Sequence, residues 1–142
     1  MRISEILRVK GADVATIAPE ASVRRLLALL AERNIGAVVV SADGSTIEGI
    51  VSERDIVRRL NERGTDLLDA PVSSIMTSPV RTCDPGDAVD GLRGTMTEHR
   101  IRHLPVVRDG RLVGIVSIGD VVKSAIAELE TEREQLVDYI KR

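Results

Sequence analysis

An internal repeat governs how this chain can fold. When the sequence is moved along itself by 66 residues, apolar and turn residues of the first half fall on like residues of the second. Beyond an Asp-Gly pair present in both halves the offset becomes 65, so 49–52 (Gly-Ile-Val-Ser) matches 114–117 and Asp55 matches Asp120. A one-residue slip confined to a turn is typical of two related hairpins with different loop lengths.

Each half predicts the same order of elements: a leading helix, a strand, an amphipathic helix, a two-stranded hairpin and a last helix. In the first half the leading helix is predicted at 3–9, the strand at 14–17 and the amphipathic helix from Val23 onward. The hairpin strands follow at 37–41 and 47–52, and the last helix starts at Glu53. In the second half the leading helix is predicted at 72–76, the strand at 80–83 and the amphipathic helix from Val89 onward. The hairpin strands follow at 103–108 and 112–117, and the last helix starts at Gly119. The amphipathic helices are predicted to bury one apolar face each, formed by Val23, Leu26, Leu27 and Leu30, and by Val89, Leu92 and Met96.

These elements predict a mixed α/β (α+β) fold of two β-α-β-β-α repeats, packed by pseudo-twofold symmetry and followed by a long C-terminal helix. The predicted division is 1–62 for the first repeat, 63–71 for a linker, 72–126 for the second repeat and 127–142 for the helical extension. The chain has no Trp, no Phe and only Tyr139 as an aromatic residue, so its core must consist of aliphatic side chains.

Two segments carry a resemblance to a known family. They are the closing motif Gly-Ile-Val-Ser-Glu-Arg-Asp at 49–55 and the segment Met-Thr-Glu-His-Arg-Ile-Arg-His-Leu-Pro-Val at 96–106. Over roughly 3–125 the chain resembles tandem CBS (cystathionine-β-synthase-like) repeats, the Bateman module, and especially stand-alone two-repeat bacterial proteins. The resemblance implies clefts between the repeats for adenosine-containing ligands, namely AMP, ADP, ATP, NAD(H) or S-adenosylmethionine, with no required cofactor. It also implies that modules pair into four-repeat discs.

Each repeat places a Ser-x-x-Asp motif where a strand gives way to a helix: Ser52 with Asp55, and Ser117 with Asp120. A helix N-terminus presents unpaired N–H groups and a positive dipole end, which suit a phosphate. The resemblance implies that the aspartate binds the ribose hydroxyls and that the serine lies near the ribose and the phosphate. The same spacing also forms a capping box, which needs no ligand, and the two roles are compatible.

The resemblance assigns each cleft residues from both repeats. The Asp120 cleft would combine Ser117 and Asp120 with Ile115, Val14, Ile35, Gly36 and Ala37. The Asp55 cleft would combine Ser52 and Asp55 with Ile50, Val80, Ile101, Arg102 and His103. Backbone groups and flat apolar packing would recognise adenine, so the lack of aromatic residues is no objection.

The two clefts are expected to differ in charge. Arg102 and His103 are the best candidates to bind phosphate, and Arg54 adds a second cation to the Asp55 cleft. The first-repeat counterparts of Arg102 and His103 are Gly36 and Ala37. The alternative for Arg102 and His103 is an exposed strand edge or an ion pair with Glu98.

Composition excludes several function classes. Acids and bases are intermixed and the formal net charge is −2, so no basic block predicts direct nucleic-acid binding. No apolar run approaches the ~18 residues of a membrane span. The chain begins without a hydrophobic signal core, and Cys83 is the only cysteine, so the expected location is the cytoplasm. No catalytic arrangement is visible, so the chain is expected not to be an enzyme.

Two other functions stay open beside a nucleotide sensor that acts on an unidentified regulated protein. One is a constitutive interaction or scaffold module with empty clefts. The weaker one is a redox or metal sensor built on Cys83 and His103. A zinc site at His99 and His103 is not expected, because these residues span a helix-to-strand junction rather than one helix face.

The C-terminal segment predicts a continuous helix from about Asp120 to Lys141. Its near-heptad apolar stripe continues past the end of the second repeat and comprises Val122, Ile126, Leu129, Leu136 and Ile140. Such a stripe needs a surface to cover it. We expect a second subunit, and so a homodimer; the alternative surface is the chain's own N-terminal helix.

Overall fold

The structure is a computed structural model that describes residues 1–141. Its elements follow the predicted order, except that the second half lacks the strand predicted at 80–83. The first half contains α1 (Ile3–Lys10), β1 (Thr16–Ile17), α2 (Val23–Arg33), β2 (Ala37–Val40), β3 (Gly49–Ser52) and α3 (Glu53–Arg63). The second half contains α4 (Leu92–Glu98), β4 (His103–Arg108), β5 (Arg111–Ser117) and α5 (Ile118–Lys141). Two 3-10 helices, Gly64–Asp69 and Val72–Ser74, connect the halves.

The sheets are small and differ between the halves. In the first half β1 pairs parallel to β2, and β2 pairs antiparallel to β3 with Val38 opposite Val51. In the second half β4 and β5 form an antiparallel pair, closed by a two-residue turn at Asp109 and Gly110, both with positive φ. The first hairpin closes instead through a loop over 41–48, so the predicted difference in loop length is confirmed.

Three details of the predicted elements are wrong. Residues 80–83 form no strand; only Cys83 pairs, through one parallel bridge to Val106. Thr77, just upstream, pairs with Ile50 of the first half, so the segment from Thr77 to Cys83 crosses from one half to the other instead of running along β4. The predicted helix at 72–76 is a single 3-10 turn, and Leu27 is exposed while Leu29 is buried in its place.

The two leading segments are exchanged between the halves. Ile3 and Ile6 of α1 lie in the hydrophobic core of the second half, with Met96, Leu104 and Val116 among its buried members. The 3-10 turn near Val72 and Ile75 lies in the core of the first half. Each half therefore completes its core with a segment that belongs, in sequence order, to the other.

Two equivalent glycines make this exchange possible. A Cβ atom at Gly49 would lie 2.5 Å from the Sδ atom of Met76, and one at Gly114 would lie 2.7 Å from Cδ2 of Leu7. Only a hydrogen fits at these positions, because the exchanged segment packs directly on the strand backbone. This matched pair of contacts reflects the pseudo-twofold relation between the repeats.

The stretch predicted as a linker is packed rather than loose. Helix α3 runs through Arg63, and the following 3-10 helix holds the fully buried side chain of Leu67. The proposed division at 62, 71 and 126 stays a prediction, since core packing crosses the boundary between the halves.

Helix α5 confirms the predicted C-terminal helix. Val121 and Ser124 are buried near its start, but every residue from Leu129 to Lys141 is exposed. No helix within residues 1–141 combines the length and apolar character needed to cross a membrane.

Candidate functional site

Both Ser-x-x-Asp motifs form the capping box that their spacing predicts. At the start of α3 the Oδ2 atom of Asp55 accepts from the Ser52 N–H at 2.8 Å and from the Ser52 hydroxyl at 3.1 Å. At the start of α5 the Oδ2 atom of Asp120 accepts from the Ser117 N–H at 2.9 Å, and Asp120 N–H donates to Ser117 Oγ at 3.1 Å. The strand–helix corners are thus held rigidly, with their carboxylates fixed in the first helical turn.

A cleft of about 460 Å³ opens beside the α3 corner, between the two halves. Its lining includes Ser52, Asp55, Ile50 and Arg54 from the first repeat, together with Ile101, Arg102 and His103 from the second. Six of these residues are ones that the resemblance assigned to this side, Arg54 is the cation expected beside them, and the fold brings all seven together. We refer to this space as the Asp55 cleft.

Four other assigned residues are not in the cleft where the resemblance placed them. Val80 is half-buried and is not part of the lining of the Asp55 cleft. Gly36 and Ala37, which the resemblance placed with Asp120, line the Asp55 cleft, where a Cβ atom on Gly36 would lie 3.7 Å from His103 Cε1. Ile35 packs against the core of the first half.

Of the remaining assigned residues, Ile115, Ser117 and Asp120 lie at the α5 corner, where Lys10 donates to the carbonyl oxygen of Ile115. These three residues are partly buried, and so is Val14, which lies just before β1.

The Asp55 cleft also contains residues that the sequence did not single out: Glu53, Arg58, Thr77, His99 and Arg100. Arg58 could have been found, because it lies four residues after Arg54 and so on the same face of α3. Thr77 could not have been found from local pattern, since its place depends on the bridge to Ile50.

The lining of the Asp55 cleft is strongly cationic, although the whole chain is slightly acidic. Four arginines contribute to it, against the two carboxylates of Glu53 and Asp55; they are Arg54, Arg58, Arg100 and Arg102. All four arginine side chains are exposed, so their attraction for an anion is screened by salt.

His103 enters the cleft as a neutral hydrogen-bonding group. Burial lowers the pKa of His103 below its usual value, and the nearby cations Lys10 and Arg102 lower it further. The imidazole is therefore uncharged at pH 7 and offers one N–H donor. A bound phosphate would favour its protonated form, so we expect anion binding here to strengthen as the pH falls.

The α5 corner is engaged by a side chain from α1. The Nζ atom of Lys10 lies 2.6 Å from Asp120 Oδ2 and donates to the carbonyl oxygen of Ile115 at 2.9 Å. Burial alone would raise the pKa of Asp120, but the hydrogen bonds from Lys10 and from Ser117 outweigh it and hold the pKa below its usual value. The carboxylate of Asp120 is thus charged and paired.

Cys83 has the properties of a core residue. Its thiol is buried, and burial, with Asp87 and Asp84 nearby, raises its pKa to about 12. A protonated, buried thiol is a poor nucleophile and a poor metal ligand. Across residues 1–141 no three His, Cys, Asp or Glu side chains are grouped as a metal site would need. The burial and raised pKa of the Cys83 thiol disfavour a redox or metal sensor built on it.

Comparison with known proteins decides the family. The sequence profile described as "CBS domain" matches residues 3–62 and 72–127, in two repeats. The chain belongs to the CBS-domain family. The resemblance to tandem CBS repeats is confirmed, and the chain is a tandem CBS regulatory module.

Three relatives illustrate this CBS membership. The CBS-domain containing protein ATU1752 from Agrobacterium tumefaciens is 42% identical, with a TM-score of 0.84 over 88% of this chain and 99% of that chain. The CBS domain protein PAE2072 from Pyrobaculum aerophilum, solved in complex with AMP, is 33% identical, with a TM-score of 0.78 over 92% and 99%. The CBS domain-containing protein YhcV from Bacillus subtilis is 31% identical over 84% of each chain.

Proposed function

We propose that the chain is a non-catalytic sensor that binds an adenosine nucleotide, AMP, ATP or NAD(H), in the Asp55 cleft. The observation that carries the proposal is the composition of that cleft. It joins a helix N-terminus and a fixed carboxylate to a cationic lining drawn from both repeats. The similarity to an AMP-bound CBS protein supports the same ligand class.

Each part of a nucleotide has a partner of suitable chemistry in the cleft. Ile50, Ala37 and Ile101 provide apolar surface for adenine. The Asp55 carboxylate accepts hydrogen bonds from ribose hydroxyls while it keeps its capping bond to Ser52. Arg102 and the other arginines bind the phosphates, since a guanidinium donates to two oxygens at once. Because this surface belongs to both halves, an occupied cleft stabilises their mutual arrangement, which a regulated partner protein can detect.

Asp55→Ala tests the nucleotide site. The substitution is expected to weaken AMP binding by about 1.5–3 kcal/mol, or roughly 10- to 150-fold, because charge-assisted hydrogen bonds to the ribose are lost. Titration calorimetry with AMP measures the effect, and Asp138→Ala, on the exposed part of α5, is the control. Unchanged AMP affinity with a lower melting temperature would leave Asp55 as a helix cap only and favour the scaffold alternative.

The exposed end of α5 supports a homodimer as the assembled form. The first half of α5 contacts the N-terminus: the Met1 amino group lies 3.4 Å from Glu128 Oε1, and the Ser124 hydroxyl donates to the Met1 sulfur. The Ile3 and Ile6 side chains are already buried in the core, so they offer no surface to the later turns of α5. A second subunit therefore fits better than the chain's own first helix.

Truncation after Ala127 tests this dimer. Leu129, Leu136 and Ile140 are 64%, 63% and 79% exposed, and covering each fully would contribute about 1.5–3 kcal/mol. The full chain is expected to be dimeric at micromolar concentration by light scattering, and the truncated chain monomeric. Glu132→Ala, on the same helix, should remain dimeric. A monomeric full chain rejects the dimer, and a dimeric truncated chain rejects only the role of α5.

A further inference from the structure

Lys10 links the two halves of the chain at a functional corner. It is the last residue of α1, whose body is packed in the core of the second half. Its ammonium group makes two hydrogen bonds there, to Asp120 Oδ2 at 2.6 Å and to the Ile115 carbonyl at 2.9 Å. The pair is partly shielded from water, with side-chain exposures of 33% for Lys10 and 19% for Asp120. Partial burial strengthens such a pair relative to one on an open surface.

The groups that Lys10 engages are those that a nucleotide would need at this corner. A ribose bound at α5 would place its hydroxyls on the Asp120 carboxylate, as the proposed function has them on Asp55. Oδ2 of Asp120 already accepts from Lys10 and from the Ser117 N–H. A neutral hydroxyl pair is a weaker partner for a carboxylate than an ammonium group at hydrogen-bond distance. A ribose hydroxyl that used this oxygen would have to displace Lys10.

Among residues 1–141 no equivalent cation engages the α3 corner. Leu7 and Met76 occupy matching places over Gly114 and Gly49, and the short segment after Met76, Thr77 to Pro79, contains no basic residue. Within residues 1–141 the Asp55 carboxylate forms no ion pair, and its hydrogen bonds come from Ser52. One corner is therefore open to a ribose while the other is occupied by the chain itself.

We propose that Lys10 is a specificity-determining residue that closes the Asp120 corner, so that each chain holds one nucleotide, in the Asp55 cleft. The inference rests on the proposed function, since it concerns which of two related corners accepts the ligand. Lys10 competes with the ribose of a nucleotide for the Asp120 carboxylate, and its removal creates a second nucleotide site. Release of the last turn of α1 by a partner would open the same corner.

The number of AMP molecules bound per chain tests the inference. Titration calorimetry and equilibrium dialysis should give one for the wild-type chain and two for Lys10→Met, which keeps the length of the apolar stem. Lys123→Met, at an exposed position on α5, should give one. Adding Asp120→Asn to Lys10→Met should return the number to one, because the newly opened site needs that carboxylate.

The outcomes separate this inference from the proposed function. If the wild-type chain binds two AMP molecules, or if the Lys10→Met chain binds only one, Lys10 does not close the Asp120 corner. The proposed nucleotide site in the Asp55 cleft is unaffected by either result. The wild-type chain could instead bind one AMP molecule that is lost in Asp120→Asn but kept in Asp55→Ala. That result would place the nucleotide at the Asp120 corner and overturn the assignment to the Asp55 cleft. No binding of AMP, ATP or NAD(H) to any variant overturns the proposed function and the inference together.

Discussion

Ile3→Ala is expected to lower the free energy of unfolding by about 2–5 kcal/mol, the range for a large aliphatic side chain deleted from a packed core. Ile3 is fully buried although it lies near the N-terminus, because α1 completes the core of the second half. Urea unfolding followed by circular dichroism measures the change. The whole domain should unfold at a lower urea concentration in a single transition, since the two cores share segments.

Val9→Ala is the matched control, because Val9 is on the same helix but is 92% exposed. Its effect should stay within about 0.5 kcal/mol, as for most surface substitutions. Equal small effects of the two substitutions would mean that α1 is not docked, and the exchange of leading segments would be wrong.

Gly114→Val is expected to destabilise the fold by about 3 kcal/mol, near the upper end for an overpacked core. A Cβ atom at this position would meet Cδ2 and Cδ1 of Leu7 at 2.7 and 2.8 Å, and valine adds two methyl groups beyond it. The strand cannot move away without breaking its pairing with β4. Thermal and urea unfolding should both show the loss.

A double-mutant cycle with Leu7→Ala identifies the cause. If the clash is with Leu7, the double variant should be more stable than the sum of the single effects predicts, by about 0.5–3 kcal/mol. Gly94→Val is the control, because nothing lies within 4 Å of a Cβ atom there. Strict additivity would show that Gly114 is required for another reason.

The repeat made most of the fold predictable. A fixed offset shows that both halves use one set of elements, and the Ser-x-x-Asp motifs locate the helix starts through the chemistry of capping. The positions of the hairpin strands followed from the same pattern, and the long α5 followed from its apolar stripe. These features depend on residues close together in the chain, where spacing alone carries the information.

The features that the sequence did not predict depend on contacts between distant residues. An amphipathic helix shows that one face is buried but not which core covers it, so the docking of α1 on the second half could not be foreseen. Lys10 and Asp120 are 110 residues apart, and no local signal joins them. Residues 77–83 cross from Ile50 in the first half to Val106 in the second, and both bridges are likewise tertiary contacts.

Helix α5 joins the Asp120 corner to the exposed apolar stripe without interruption. Its first turn contains Asp120, and the 24 residues from Ile118 to Lys141 form one rod about 36 Å long at about 1.5 Å per residue. A tilt of about 5° at the first turn would displace the far end by about 3 Å on this length. Any change in the tilt of α5 at the Lys10–Asp120 pair would therefore be amplified along the helix to its exposed apolar stripe.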